Sequence, residues 1–357
     1  MRQRKCRTGA VFPKGTHRIM TNRPFRWSLV GASDIARAFV GPAISAQPDA
    51  AVVSVVSGDL ARAQDVAAPF GARGHDELTV ALSDPDVDAV YISSINSAHH
   101  DQALAAIAAG KHVLCEKPLA LTVAEAQELV DAAEKAGVVF ATNHHMRNSV
   151  PHRLIRDAIA AGDIGEPVAV NVRNAIRLPP AARRWRTTDS AAGAGVALDL
   201  TVHDADCLRF VLNADPLTVV AHTSSGHMTR VGIDETISGS AEFVSGVHAS
   251  FVESFVTGHA PTCLEVFGTE GALIGTGIQS MSPVGTLTHV GPAGSRKIDL
   301  GTREDLYVVG VRRFIEAVRG EAEPPASGQD GVWSLAFARA ALEAARTGHR
   351  QTVGQAR

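Results

Sequence analysis

The feature that most constrains the fold is a regular alternation, between residues 27 and 146, of short apolar runs with alanine-rich segments of helical periodicity. The apolar runs are rich in valine and continuous, which is typical of strands buried on both faces of a parallel sheet. The predicted strands are residues 27–30, 51–57, 89–93, 113–115 and 138–141. The predicted helices are residues 35–46, 60–70, 99–109 and 123–136. This order predicts a doubly wound α/β domain over residues 27–146.

After residue 150 the pattern changes to closely spaced strands with few helices between them. The predicted strands are residues 168–176, 217–223, 237–244, 247–256, 264–267 and 272–275. The predicted helices are residues 151–161, 196–212, 304–318 and 331–347. Over residues 247–253 bulky side chains alternate with small or polar ones, as in a strand covered on one face only. We therefore predict that residues 147–357 form an α+β domain with an open, mainly antiparallel sheet.

The composition excludes several classes of protein. The chain has 357 residues, which indicates about two domains, each large enough to bury its own core. Its formal net charge is −3 and only 5% of its residues are aromatic, which excludes a nucleic-acid binder that relies on a basic face and base stacking. No apolar run is long enough to span a membrane. We expect neither nucleic acid nor a membrane as a partner.

The N-terminal segment, the cysteines and the histidines carry further predictions. Residues 1–26 are basic and lack the apolar stretch of a secretory signal, so we expect a disordered extension. The cysteines have no CxxC spacing, which is typical of reduced thiols in a cytoplasmic protein, and they are Cys6, Cys115, Cys207 and Cys263. The histidine pairs at 99–100 and 144–145 have no acid or thiol at ligand spacing, so we predict no metal site.

The first predicted strand leads into Gly31-Ala32-Ser33-Asp34-Ile35-Ala36, a variant of the G-x-G-x-x-G/A pattern with serine at the second glycine position. Small residues at this turn let the backbone approach a pyrophosphate, which then lies at the N-terminus of the following helix. An ordinary strand-to-helix turn is the alternative for this segment alone. Its position after the first strand of a βαβ pattern favours a dinucleotide site.

The tip of the second predicted strand indicates which dinucleotide binds. An NAD site usually has an acid there, which accepts the ribose 2′-hydroxyl. In this chain Ser57 occupies the tip and Arg62 follows one turn into the next helix, a pair that suits a 2′-phosphate. We therefore favour NADP(H), with NAD(H) as the alternative. Asp59 is the competing residue, because it could accept a ribose hydroxyl or simply cap the helix.

Two further segments carry candidate catalytic residues. Lys117, in Cys115-Glu116-Lys117-Pro118, lies just past a strand tip, where ligands of open α/β sheets collect. Asp199 and His203 are four residues apart and share a face of the predicted helix. Asp206, three residues further along, lies on the same face. A carboxylate one turn from an imidazole can orient the ring and stabilise its charged form, as acid–base chemistry requires. Taken singly, each signal also fits a solvated ion pair or a capping contact.

Together these motifs resemble the Gfo/Idh/MocA oxidoreductase family over residues 27–353. The segments that carry the resemblance are residues 31–36, 88–92, 96–99, 109–119 and 199–204. The resemblance implies a Rossmann domain followed by an open-sheet domain, with a sugar-like substrate between them. It also implies hydride transfer between a nicotinamide and a carbonyl or alcohol carbon.

The resemblance assigns roles to individual residues. The residues that would line the pyrophosphate are Gly31, Ala32, Ser33 and Ile35, and those that would hold the 2′-phosphate are Ser57 and Arg62. Asn96 and His99 would lie along the nicotinamide ribose, and Glu116 beneath the cofactor. Lys117, Asp199 and His203 would form the catalytic trio. His203 is the leading general acid, with Asp199 orienting it, and Lys117 would stabilise the oxyanion or share the proton transfer.

Further residues are predicted to contact the substrate, and they are Asn143, His145, Arg147, Arg177, Trp185 and Arg186. Arg173 and Arg177 depart from the pattern of sugar reductases in this family, and they would favour an acidic or phosphorylated sugar if they face the cleft. The alternatives are a dehydrogenase of another sugar, a sugar acid or an inositol, or a non-catalytic dinucleotide sensor. We expect a monomer, or a homodimer formed through the open sheet face over residues 247–267.

Overall fold

The computed structural model describes residues 23–354 and contains two sheets. The first is a parallel six-stranded sheet of order β3-β2-β1-β4-β5-β6. Its strands are β1 (Phe25–Val30), β2 (Ala50–Val56), β3 (Arg73–His75), β4 (Ala89–Ile92), β5 (His112–Cys115) and β6 (Phe140–Thr142). The predicted doubly wound domain is confirmed. Most of the predicted N-terminal extension, residues 1–22, lies outside the described residues.

Helices cover both faces of this sheet. They are α1 (Gly41–Ser45), α2 (Leu60–Ala67), α3 (Leu78–Ser83), α4 (His99–Ala108) and α5 (Val123–Ala136). A π-helical turn, Ala36–Val40, runs directly into α1. Helix α5 has the predicted bounds because its ends are specified locally: Thr122 and Glu125 form a capping box, and Gly137 ends the helix in the left-handed conformation.

The second sheet has nine strands in the order β14-β13-β12-β11-β7-β10-β9-β8-β15. They are β7 (Pro167–Ala175), β8 (Pro216–Ser224), β9 (Thr236–Phe243), β10 (His248–Ser254), β11 (Cys263–Gly268), β12 (Ala272–Thr276), β13 (Thr286–Gly291), β14 (Gly294–Ile298) and β15 (Gln351–Thr352). Only β7 and β10 pair in parallel among these described strands. The predicted open, mainly antiparallel sheet is therefore confirmed.

The remaining α-helices are α6 (Val150–Ala161), α7 (Pro180–Arg183), α8 (Val202–Leu212), α9 (Leu306–Val318) and α10 (Gly328–Thr347). The last two connect the domains. Tyr307 and Phe314 of α9 belong to the apolar cluster around β1, and α10 contributes Val332 and Leu335 to the core around β4 and β5. The carboxyl ends of the parallel strands and α8 are thereby held together in one packed unit.

Two general findings concern the described part of the chain. No helix within residues 23–354 has the length and apolar character needed to cross a membrane. Cys115, Cys207 and Cys263 are buried free thiols, and Cys6 lies outside the described residues. Burial raises the pKa of each of these three thiols above its ordinary value, so none is a reactive thiolate.

Candidate active site

The turn after β1 has the backbone that a dinucleotide site needs. Gly31 has φ 97°, and a Cβ there would lie 2.6 Å from the backbone nitrogen of Ser94 at the tip of β4. Ser33 caps the start of the helix, because its Oγ accepts a hydrogen bond from the Ala36 N–H at 3.0 Å. The same hydroxyl donates to Ser93 Oγ at 2.8 Å. The close strand tips and the helix start fit a bound pyrophosphate.

At the tip of β2, Asp59 caps a helix. The Asp59 carboxylate accepts a hydrogen bond from the Arg62 backbone N–H at 3.2 Å and is the N-cap of α2. Ser57 is half-buried beside it. The Arg62 side chain is exposed and makes no hydrogen bond or ion pair with residues 23–354. Its guanidinium is therefore available to an anion.

At the tip of β5, Glu116 lies in a buried polar cluster. Its Oε1 accepts hydrogen bonds from Tyr91 Oη and Asn143 Nδ2, each at 2.6 Å. Burial raises the pKa of Glu116 above its ordinary value, although the charge of Lys117 and these hydrogen bonds oppose the shift. The structure thus brings together two predicted site residues, Glu116 and Asn143, beside Lys117.

Lys117 contacts the second domain directly. Its Nζ donates to the Asp199 carboxylate Oδ1 and to the Asp199 backbone oxygen, both at 2.8 Å. Arg186 Nε lies 3.5 Å from the other carboxylate oxygen of Asp199. Burial alone would raise the pKa of Asp199, but the charges of Lys117 and Arg186 hold it below its ordinary value. Asp199 is therefore an ionised partner of two cations.

Asp199 and His203, which were predicted to pair, form no hydrogen bond with each other in the described chain. Asp199 lies in a π-helical turn, Ala197–Thr201, directly before α8, and its two carboxylate oxygens contact Lys117 and Arg186. The Nδ1 atom of His203 is buried without a hydrogen-bond partner in the described chain, and its ring packs edge-on to His145 at 4.9 Å. Burial, and secondly the charge of Lys117, lower the pKa of His203 well below its ordinary value. The ring is therefore neutral at pH 7.

Asn96 and His99 hold neighbouring backbone in place. Asn96 Nδ2 donates to the Gly193 carbonyl at 3.1 Å. The two ring nitrogens of His99 lie 2.8 Å from the Pro118 carbonyl oxygen and 3.2 Å from that of Ser94. Burial lowers the pKa of His99 to about 4. His99 therefore joins the tips of β4 and β5 beside Lys117.

Three of the predicted substrate residues lie near the Lys117–Asp199 pair or His203, whereas Arg147 is held in ion pairs elsewhere. Trp185 and Arg186 stay beside the Lys117–Asp199 pair, with the Arg186 guanidinium 4.6 Å from the Trp185 ring centroid. His145 also remains near, because its ring packs on His203. Arg147, however, is committed to ion pairs with Asp206 at 2.6 Å and Asp330 at 2.9 Å, so we withdraw it as a substrate ligand.

The arginines that would have indicated an acidic sugar do not converge on this site. Arg177 is exposed and forms an isolated bridge with Val256. Arg173 Nε donates to the Pro261 carbonyl at 3.0 Å, on the open face of the second sheet. Neither residue forms a hydrogen bond or ion pair with Lys117, Asp199 or His203.

Sequence reasoning missed Tyr307 of α9. Its ring stacks on His145 at 5.1 Å with an interplanar angle of 17°, and it also contacts Phe39 at 5.1 Å. Only the apolar periodicity of α9 could have indicated that Tyr307 is buried, because no motif surrounds it. Within residues 23–354, no group of three or more histidine, cysteine or acidic residues is arranged to hold a metal.

A Rossmann domain whose strand tips meet polar residues of an open-sheet domain defines an NAD(P)-binding oxidoreductase. Residues 25–144 match the profile described as "Oxidoreductase family, NAD-binding Rossmann fold", and residues 152–274 match that of the "GFO/IDH/MocA C-terminal domain". The chain belongs to the Gfo/Idh/MocA oxidoreductase family, so the family resemblance is confirmed.

Several oxidoreductases are similar to this chain in sequence or in structure. The chain is 48% identical to 1,5-anhydro-D-fructose reductase of Ensifer adhaerens, over 92% of this chain and 98% of the relative. It is 29% identical to myo-inositol 2-dehydrogenase of Thermotoga maritima, over 73% of this chain and 78% of that protein. The crystal structure of aldose-aldose oxidoreductase from Caulobacter crescentus shares the fold, with a TM-score of 0.85 at 21% identity, covering 92% of this chain and 100% of that one.

Proposed function

We propose that the protein is an NADP(H)-preferring reductase of a sugar-like ketone, with 1,5-anhydro-D-fructose as the leading candidate substrate. The observation that carries this proposal is the contact between Lys117 of the first domain and Asp199 of the second, 2.8 Å apart at the tips of the parallel strands. Ligands of doubly wound sheets collect at this edge. The 48% identity to a 1,5-anhydro-D-fructose reductase supports the substrate class.

The described residues support NADP(H) over NAD(H). Gly31 and Ala32 would admit the pyrophosphate, and Ser57 with the unpaired Arg62 would hold the 2′-phosphate. Asp59 caps α2 with one of its carboxylate oxygens, which supports the reading of this acid as a helix cap. When bound, the cofactor supplies or accepts the hydride at its nicotinamide ring.

The chain's own groups would manage the proton. Lys117 has three N–H donors, of which Asp199 accepts two. The third can donate to the substrate oxygen and then transfer its proton as the alkoxide forms. His203, neutral and held edge-on by His145, would act as a hydrogen-bonding partner of the substrate. We therefore assign the proton transfer to Lys117, with Asp199 keeping the ammonium in position.

A dehydrogenase of an inositol or another sugar is the second candidate, supported by the relationship to myo-inositol 2-dehydrogenase. Asn143, Trp185 and Arg186 would then bind the ring hydroxyls of that substrate. A non-catalytic sensor is disfavoured, because it would have no use for a buried Lys117–Asp199 pair, which costs desolvation energy.

The purified protein tests the proposal. NADPH and NADH oxidation would be followed with 1,5-anhydro-D-fructose and a panel of keto-sugars, and NADP⁺ and NAD⁺ reduction with inositols and sugar acids. The expected result is the highest kcat/KM with NADPH and 1,5-anhydro-D-fructose. Higher kcat/KM with an inositol would favour the second candidate, and absence of turnover with every pair would overturn the enzymatic proposal.

A further inference from the structure

Two carboxyl groups that the proposed chemistry does not use lie buried beside His203. Asp204 follows His203 on α8 and is 1% exposed, and Glu253 on β10 is 0% exposed. Asn174, which pairs with Glu253 in the register of β7 and β10, donates to Asp204 Oδ1 at 3.1 Å, so the two carboxyl groups lie in one buried polar cluster. Asp204 Oδ2 and Glu253 Oε1 are buried without a hydrogen-bond partner within residues 23–354. A hydrogen bond between two carboxyl groups requires a proton on one of them.

The other oxygens of the pair are fully engaged. Asp204 Oδ1 accepts hydrogen bonds from Gln279 Nε2 at 2.7 Å and from Asn174 Nδ2 at 3.1 Å. Glu253 Oε2 accepts one from Thr201 Oγ1 at 3.1 Å. These contacts join α8 to β7, β10 and the loop after β12.

The charged surroundings of the pair contain no compensating cation. Within the described chain no lysine or arginine forms an ion pair with Asp204 or Glu253. The titratable neighbours are His152 of α6, which bonds Gln279 at 2.6 Å, together with Cys207 of α8 and Cys263 of β11. Burial without a cation raises the pKa of both carboxyl groups.

We propose that Asp204 and Glu253 share a single proton and act as a positioning pair, through which β10 holds the helix segment that carries Asp199 and His203. Glu253 Oε2 accepts a hydrogen bond from Thr201 Oγ1 at 3.1 Å, and the shared proton would join Oε1 to Asp204, so the two contacts lie on either side of His203 in sequence. The pair therefore prevents the π-helical turn from rotating relative to α8. The effect of this pair on kcat rests on the proposed function, whereas the shared proton does not depend on it.

The proton itself is tested by infrared difference spectroscopy. The C=O stretch of a protonated carboxyl group is expected in the wild type at about pH 7, where ordinary carboxyl groups are ionised. The difference spectrum between the wild type and Glu253→Gln should contain this band, and that between the wild type and the exposed control Glu270→Gln should not. A Glu253→Gln difference without the band would show two ionised carboxylates and overturn the proposal, whatever the substrate is.

Positioning is tested with three variants. Glu253→Leu and Thr201→Val remove contacts, whereas Glu253→Gln can still donate to Asp204 and accept from Thr201. We expect kcat to fall by up to about 10²-fold in Glu253→Leu, by less in Thr201→Val, and to be restored largely in Glu253→Gln, with the Kd for NADPH unchanged. If Glu253→Leu does not fold, Thr201→Val carries the kinetic test.

The stability of the same variants distinguishes a positioning role from a purely structural one. A raised carboxyl pKa contributes stability at low pH that is lost as the pH rises through the folded-state pKa. The stability of the wild type relative to Glu253→Gln should therefore fall as the pH rises. Lower melting temperatures with unaltered kcat in both Glu253→Leu and Thr201→Val would mean a structural role only and would overturn the positioning role.

Discussion

At the scale of single residues, the Lys117–Asp199 pair is the central feature of the molecule. The two residues are separated by 82 positions in the chain and by 2.8 Å in space. Their side chains are 9% and 17% exposed, so little water screens the pair. A lysine held this way by two acceptors presents its remaining N–H in one direction, which is what a directional proton donor requires.

Lys117→Ala should therefore remove turnover while leaving the cofactor site intact. We expect kcat with the best sugar substrate to fall by about 10²–10⁴-fold, the usual contribution of a general acid. The Kd for NADPH, measured by fluorescence titration, should change by only a few-fold. Lys135→Ala, at an exposed lysine without side-chain contacts, is the matched control. Turnover that survives in Lys117→Ala would exclude this lysine from the mechanism.

The proposed cofactor preference also rests on single side chains. Arg62→Ala should lower kcat/KM for NADPH by about 10–100-fold, because a charge-assisted hydrogen bond contributes roughly 1.5–3 kcal/mol. The value for NADH should be unaltered. Asp59→Ser keeps a side-chain cap on α2 and should change neither value. Weaker use of NADH in Asp59→Ser would instead indicate that Asp59 binds the ribose.

At the scale of elements, the turn between β1 and its helix depends on backbone shape. Gly31 combines a positive φ with backbone contact to the tip of β4, so an added methyl group meets Ser94 at 2.6 Å. Helix boundaries nearby depend on local caps such as Ser33. The turn thus couples the spacing of two strand tips to the start of the helix.

Gly31→Ala should separate those strand tips. We expect a loss of about 1–3 kcal/mol in the free energy of unfolding, from backbone strain, together with weaker NADPH binding. Gly354→Ala is the comparison, because a Cβ there meets nothing within 4 Å. Chemical denaturation and NADPH titration of the two variants provide the measurement. Equal behaviour of the two proteins would contradict the role given to this turn.

Arg147 connects elements of both domains. It lies in the turn His145–Asn148 and pairs with Asp206 of α8 and Asp330 of α10. Arg147→Ala would leave these carboxylates with one cation, Arg209, which contacts Asp330. We expect the free energy of unfolding to fall by about 3–5 kcal/mol, as for other broken buried ion pairs. The KM for the sugar should stay unaltered in folded protein, and a large rise in KM would return Arg147 to the substrate site.

At the scale of the whole molecule, buried imidazoles couple folding to pH. Burial lowers the pKa of His99, His144 and His152 to about 4 and that of His145 to about 3. An unfolded histidine takes up its proton near pH 6.5. The unfolded chain therefore binds more protons than the folded one between about pH 6.5 and 4, so stability falls as the pH falls through this range.

The pH dependence of unfolding tests this coupling. A histidine with a folded pKa of about 4 makes the protein about 2 kcal/mol less stable at pH 5 than above pH 7. His144→Asn has one such group fewer. Its free energy of unfolding, from urea titrations at pH 7.5 and 5, should therefore fall by about 2 kcal/mol less than that of the wild type. The same pH dependence in both proteins would mean that His144 is charged in the folded state.

Much of the architecture was predictable from local pattern. Continuous valine-rich runs predicted β1, β2, β4 and β5, because strands buried on both faces need apolar residues at every position. Strands β3, β13, β14 and β15 were missed. Gly294–Ile298 of β14 has four exposed residues and one half-buried residue, and Gln351–Thr352 of β15 has only two residues. Such strands exist because a distant neighbour supplies their hydrogen bonds, which no local pattern records.

The amino-acid sequence by itself determined the order of strands and helices, the capped ends of α5 and the identity of Lys117, Asp199 and His203 as candidates, because periodicity, caps and motifs are local properties of the chain. The tertiary structure alone decided their partners. Asp199 binds Lys117 rather than His203, Arg147 binds Asp206, and Asp204 accepts hydrogen bonds from Asn174 and Gln279. Each of these contacts joins segments far apart in the chain, and the packing of both domains is what brings them within hydrogen-bond distance.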